Sequence, residues 1–410
     1  TGLALIVAWQ AYNSAREAMS PAASAAQLGL IGLIQFGVLF LMTPFAGLAA
    51  DNLKRTRVAK FTLLVLFACA AILAISSYEG WISLPLIFCI AAVLGFCRAF
   101  QQPALSSLAP NIVPKHLLPR AIAFGSIVWQ AGGIIGPAVA GYAYALEPPY
   151  AYIISASLFL LGAVAMFFVG DVPQAARQTG RHPIGQILDG LTYVRTNRLV
   201  LGAITLDLFA VLLAGTTALL PVYARDVLHV GSAGLGHLAA APGVGAGLTA
   251  LWFSFRPLTR NVGAKMMASV VVFGLATMTF GLTAFMPQQI AILVALGAMA
   301  TWGSADMFSV FVRQSLIQLH TPDEMRGRVS SVSMMTISAS NELGEAESGF
   351  LAALIGPVAA VIFGGAGAIV ITLLWTRLFP ELRNARSFDP PEHLQPPQLA
   401  TEAARKEPAG

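Results

Sequence analysis

Long apolar runs, bounded by glycine, proline or charge, dominate this chain and leave it few folds to adopt. They cover residues 3–12, 27–50, 58–77, 82–100, 121–146 and 150–170, then 199–224, 235–255, 264–285, 290–312, 329–355 and 358–375. A bilayer core of about 30 Å is crossed by roughly 20 apolar residues in a helix. Lipid offers no partner for an unpaired backbone N–H or C=O, whereas a helix pairs its own, so such runs predict helices and exclude open sheets. With 10% charged and 57% hydrophobic residues and a mean hydropathy of +0.73, the chain has too little charge to cover a soluble surface. The expected class is an all-α membrane protein with twelve spans. The first run is too short to cross and Thr1 is not a start methionine, so the first span is expected to be truncated at its N-terminus.

Charge placement sets the expected orientation. Alternate loops collect Lys54, Arg55, Arg57, Lys60, Lys115, Arg120, Arg256, Lys265, Arg326 and Arg328 on one side, with the basic residues of 171–198, and leave only Arg16 and Arg225 on the other. Under the positive-inside rule the basic side, with the C-terminus, is cytoplasmic. The net charge of +5 is therefore read as topology and not as a nucleic-acid surface. Cys69, Cys89 and Cys97 sit in apolar runs without metal-type spacing and are read as core residues.

The runs repeat. Laying Pro114 on Pro322 also matches Arg120 with Arg328, Gly136 with Gly344 and Gly141 with Gly349. Six spans are duplicated, an organisation that builds transporters in which two bundles rock about a midplane site. The expected units are a bundle over 1–170, a connecting loop over 171–198 with an amphipathic stretch at 184–193, a second bundle over 199–378, and a disordered tail over 387–410.

Between the second and third runs stands Gly47-Leu48-Ala49-Ala50-Asp51-Asn52-Leu53-Lys54-Arg55-Thr56-Arg57. This resembles the signature loop of the major facilitator superfamily, with Asn52 where an Arg is usual and Lys54 where a Gly is usual. The likeness implies a conformational gate: Gly47 for close helix contact, Asp51 interacting with a helix end and a neighbouring base, and Arg55 and Arg57 steadying one state. The fifth span carries Gly132-Gly133-Ile134-Ile135-Gly136-Pro137-Ala138-Val139-Ala140-Gly141, similar to the antiporter motif of exporters in that superfamily, with Ala140 replacing a usual glycine. Gly132, Gly136 and Gly141 allow close packing, and Pro137 removes a backbone bond. In the second half, Leu206-Asp207-Leu208-Phe209-Ala210, Leu219-Leu220-Pro221-Val222-Tyr223-Ala224, Thr321-Pro322-Asp323-Glu324-Met325-Arg326-Gly327-Arg328-Val329 and the run 340–349 look like the branch of enterobactin exporters and macrolide efflux pumps. The resemblance implies a major facilitator fold of two pseudo-symmetric six-helix bundles, export of a siderophore or drug, and a monomer; short loops and the absence of organelle signals point to a bacterial inner membrane.

Charges inside spans are expensive, by about 2.5 kcal/mol or more each, so each needs a partner or a function. Asp207 lies about 13 Å into its helix from Arg198, and Glu342 about 21 Å in from Arg328, at 1.5 Å per residue. Glu342 and Glu345 share a helix face, and Asp306 and Arg313 share a stripe two turns apart. Two carboxylates on one face in a low dielectric cannot both ionise cheaply, so one of the glutamates is expected to hold a proton. Asp207, Glu342, Glu345, Asp306 and Arg313 are thus the candidates for proton coupling, with Glu342, Glu345 and Asp207 expected to line the cavity together. A static network, with Asp306 or a glutamate neutralised by Arg313 or Arg98, is the alternative. Gln35, Arg98 and Gln130 are candidate cargo contacts. No phosphate-binding Gly-Lys-Ser/Thr loop, catalytic triad or metal-ligand cluster is present, so no enzyme activity, metal or cofactor is expected. The reading is a proton-coupled exporter of a small amphipathic molecule, with an importer of the same fold and a non-transporting membrane sensor as alternatives.

Overall fold

A computed structural model describes residues 2–106, 112–113, 116–169, 183–256 and 258–388. The tail over 389–410 and residues 170–182, which include the first part of the connecting loop, lie outside the described residues, as do the side chains of Gly47 and Asp51. The first six long helices are α1 (Gly2–Ala18), α2 (Pro21–Asn52), α3 (Arg55–Tyr78), α4 (Leu84–Ser106), α5 (Leu118–Leu146) and α6 (Pro148–Phe168). A shorter helix, α7 (Pro183–Thr196), leads to α8 (Arg198–Leu213), α9 (Gly231–Phe255), α10 (Val262–Leu282), α11 (Gln288–Leu319), α12 (Asp323–Ile355) and α13 (Pro357–Leu378). Among the described residues there is no strand, and nine helices are long and apolar enough to cross a membrane. Of the others, α1 has 17 residues, and α12 carries Glu342, Glu345 and Glu347 among many serines.

Local chemistry sets the boundaries. The Asn197 side chain accepts from the Val200 N–H at 3.1 Å and caps α8. Gly356, at φ +88°, turns the chain out of α12, and Pro357 opens α13 where no N–H is needed. The signature stretch is more helical than a loop: α2 runs on to Asn52, α3 begins at Arg55, and only Leu53 and Lys54 turn. Beyond α8 the chain breaks into a 3₁₀ turn (Thr216–Leu219), one α turn (Leu220–Val222) and a π turn (Tyr223–Val227). Large apolar side chains such as Phe168, Leu293, Leu354 and Val370 stay exposed around the outside, as lipid-facing residues must.

Packing repeats between the halves. In the first, α3 lies on α6, α2 on α4 and α1 on α5; in the second, α10 lies on α13, α9 on α11 and α8 on α12. The halves meet along α2–α12 and α5–α9. The glycines matched in sequence do matched work. Gly136 of α5 meets Gly2 of α1, where a Cβ on Gly2 would lie 2.8 Å from the Gly136 carbonyl oxygen; Gly344 of α12 meets the end of α8, its own Cβ 2.8 Å from the Val211 oxygen. Gly141 and Gly349 serve the two seams: a Cβ on Gly141 would lie 2.9 Å from Gly236 Cα, and one on Gly349 2.5 Å from Gly29 Cα. Gly141→Leu is therefore expected to force α5 and α9 apart at a cost of about 1–3 kcal/mol. A lower unfolding temperature in detergent is the expected result.

The amphipathic stretch is helical, as α7, and is tied to the second half. Asp189 pairs with Arg328 at 3.1 Å, and the Tyr193 hydroxyl donates to the His320 carbonyl at 2.8 Å. Phe388 lies edge-on to Phe311, so the first residues of the expected tail pack against the bundle.

Candidate functional site

The intramembrane charges fall into two clusters. Inside the second half, Asp207 of α8 forms an ion pair with Arg313 of α11, and their side chains are 7% and 2% exposed. Asp207 also lines a small cleft where α8, α10 and α11 converge, together with Ala210, Val211, Val270, Phe273, Ala305, Asp306 and Ser309. Asp306 faces the same cleft from two turns before Arg313, as its spacing requires. Two expectations are corrected here. Arg313 neutralises Asp207 and not Asp306, because the facing helix brings a carboxylate closer than the stripe neighbour on its own helix. Asp207 does not join the glutamates: its ion-pair partner is Arg313 of α11, and neither Glu342 nor Glu345 lines its cleft.

The other cluster lies on the seam. Arg98 of α4 forms an ion pair with Glu342 of α12, joining the halves; Glu342 is buried, whereas more than half of the Arg98 side chain is exposed. Glu342 keeps Oε2 without a hydrogen-bond partner among the described residues. Glu345, one turn on, meets α2: a Cβ on Gly32 would lie 3.2 Å from Glu345 Cβ and 3.2 Å from the Glu342 carbonyl oxygen. The glutamates thus share a face, and that face lies at the contact between halves. Glu347 points elsewhere, its carboxylate accepting from Ser348 at 3.4 Å.

The cargo candidates are scattered. Gln130 of α5 donates to the Gly243 carbonyl of α9 at 2.6 Å, another contact between halves. Gln35 is buried where α4 comes close, with a Cβ on Gly95 only 2.8 Å from its carbonyl oxygen. Of the exporter-like motif, Gly136, Pro137 and Gly141 touch α1 or α9, while a Cβ on Gly132 would meet nothing within 4 Å. In the gate stretch Arg55 is half-buried and Arg57 exposed at the start of α3. Among the described residues no three His, Cys, Asp or Glu side chains converge on a metal-sized space.

Sequence reasoning missed a polar latch at the α1–α2 end. Tyr12 donates to Asp226, Arg16 Nε donates to the same carboxylate at 3.0 Å, and Arg225 donates to the Asn13 side chain. These bonds tie α1 of the first half to the π turn after α8 in the second. The only prior signal was that Arg16 and Arg225 stood alone on the side poor in basic residues. Nearby, the Tyr142 hydroxyl and His237 Nε2 of α5 and α9 lie 2.8 Å apart. Arg16 and Asp226 are partly exposed, so solvent screens the pair and its removal should act on conformation more than on stability. Asp226→Asn is expected to raise the labelling rate of a cysteine placed on the seam at Ser232 several-fold without lowering the unfolding temperature; an unchanged rate would show that the latch does not hold the seam.

Apolar helices exposed all round, duplicated packing and ion pairs held inside the span define a multi-pass membrane transporter. The sequence model of the Major Facilitator Superfamily matches residues 1–345, and the chain belongs to that family. It is 26% identical over 368 residues to the enterobactin exporter EntS of Escherichia coli (strain K12), covering 89% of this chain and 86% of the relative, and equally to EntS of Shigella boydii serotype 18. The likeness to enterobactin exporters read from the second half is thereby borne out. Among solved structures, the nucleoside transporter NupG matches with a TM-score of 0.70 at 14% identity, over 92% of this chain and 96% of that one. The xylose transporter XylE from E. coli matches with a TM-score of 0.67 at 12% identity, over 92% of each chain. A bacterial homologue of ferroportin matches at 0.63 and 18%, over 93% and 97%. These structures share the fold, as the two-bundle expectation required.

Proposed function

We propose that the protein is a proton-coupled exporter of a small amphipathic molecule, a siderophore or a hydrophobic drug, working as a monomer by alternating access in a bacterial inner membrane. The observation that carries this reading is the seam cluster: Arg98 of one half holds Glu342 of the other, with Glu345 beside it on the same face. A proton arriving at this face changes the charge of the contact that the halves must break and remake, which is the requirement for coupling. Units 1–170 and 199–378 are the moving bodies, joined through 171–198. A cargo whose hydroxyl or ammonium groups donate to the glutamates is displaced when a proton takes the carboxylate, so protons entering from outside drive release there.

The closed latch at the α1–α2 end and the exposed Phe40, Leu41, Ile127, Val128 and Trp129 on α2 and α5 toward the basic end support an inward-facing state. Orientation follows from the basic loops, which put the α2–α3 turn and the C-terminus in the cytoplasm. Export rests on the likeness to EntS, and an enterobactin-like siderophore is the first cargo to test. The test is efflux of a panel of siderophores and hydrophobic drugs from loaded cells, with and without a protonophore. Protein-dependent efflux of one compound that the protonophore stops is expected. If no compound leaves faster when the protein is present, the reading is wrong.

A further inference from the structure

Asp207 is matched by Arg313, but the cleft that Asp207 lines holds a second carboxylate, Asp306, with no ion-pair partner among the described residues. One net negative charge is therefore left inside the span, which lipid and protein solvate poorly. A third oxygen faces the same space. Ser309, 4% exposed, has a hydroxyl without a hydrogen-bond partner among the described residues, although a serine one turn from a backbone carbonyl readily bonds back to it. The cleft also touches Ala210 and Val211, in the last turn of α8, the end of a helix that carries negative partial charge and favours cations.

We propose that this cleft binds a small monovalent metal cation of the sodium class, held by the Asp306 carboxylate and the Ser309 hydroxyl with Asp207 beside them. The charge balance selects the ion: one positive charge neutralises the cluster, whereas a divalent ion would leave an excess. The donor set selects it too, because hard alkali ions take carboxylate and hydroxyl oxygens, and the described residues that line the cleft offer no side-chain nitrogen or sulfur of the kind softer metals prefer. Ser309 distinguishes a metal ion from a proton, since a proton on Asp306 needs no third oxygen. The break that follows α8 matches the way interrupted helices present ion sites in transporters. The site is separate from the glutamates of the seam, and its occupancy is read by binding, so it stands whether or not the protein exports.

The test uses the full chain purified in detergent, with unfolding temperature followed against NaCl, KCl or choline chloride at constant ionic strength and several pH values. Sodium is expected to raise the unfolding temperature saturably and choline not at all. Ser309→Ala is expected to weaken the apparent sodium affinity about tenfold, as for one lost contact to a charged group, while leaving the unfolding temperature in choline unchanged. Asp306→Asn is expected to abolish the sodium effect. The proposal is overturned if sodium acts no differently from choline, if Ser309→Ala keeps the wild-type sodium response, or if only pH matters and all salts behave alike, which would assign the cleft to a proton.

Discussion

Glu345→Gln is expected to cut proton-driven export about 10- to 100-fold, the range spanned by a coupling free energy of 1–3 kcal/mol, while expression and folding stay near wild type. The amide keeps the size that α12 presents to Gly32 of α2, so the seam still closes. What it loses is the ability to change charge. A glutamine resembles the protonated acid permanently, so the variant should bind cargo weakly and with the same affinity at every pH. In the wild type, affinity should fall as pH falls, because a proton competes with cargo for the carboxylate. Glu342→Gln should behave differently. It also frees Arg98 and removes the ion pair between halves, so the resting population should move toward the state closed at the basic end. Cargo affinity measured against pH on purified protein separates the two: if the Glu345→Gln profile still follows the wild-type slope, Glu345 does not carry the proton.

Sequence pattern revealed more of the fold than of the site, for physical reasons. Apolar length and the ban on unpaired backbone in lipid leave only helices, so the all-helical class could be read from the runs, and nine helices among the described residues are long and apolar enough to cross a membrane. Matched glycines such as Gly141 and Gly349 could be read as seams because backbone contact tolerates no Cβ, a demand visible in residue type alone. Which charge meets which was legible only in part: the alternative that set Arg98 against a glutamate is the pair Glu342 forms, while the partner of Arg313 was not foreseen. Asp306 and Arg313 share a stripe, yet Arg313 turns to Asp207, more than a hundred residues away, and Arg98 reaches Glu342 across 244 positions. Periodicity reports faces on one helix and is silent about the helix opposite. The latch of Tyr12, Arg16 and Asp226 escaped for a related reason: at a helix end a charge costs little, so nothing in the sequence marked these residues as unusual.

Arg313→Leu is expected to destabilise the protein by about 3–5 kcal/mol, the usual cost of leaving one partner of a buried ion pair behind. The effect should be large here because the Arg313 and Asp207 side chains are only 2% and 7% exposed. With Arg313 gone, Asp207 and Asp306 would face one cleft as two uncompensated carboxylates. The double variant Asp207→Asn/Arg313→Leu should recover most of the loss, since an amide and an alkyl chain carry no charge to bury. Arg313→Lys should fall between, because an ammonium keeps the charge but not the planar fork that grips a carboxylate. Unfolding temperatures of the two single variants and the double, combined as a mutant cycle, isolate the pairwise term from the separate effects of each side chain. A double variant less stable than Arg313→Leu alone would mean that the arginine is held for its packing against α8 and α10. A double variant restored toward wild type would mean that the pair is kept for its charge, and a charge retained in lipid at that cost has to be explained by function.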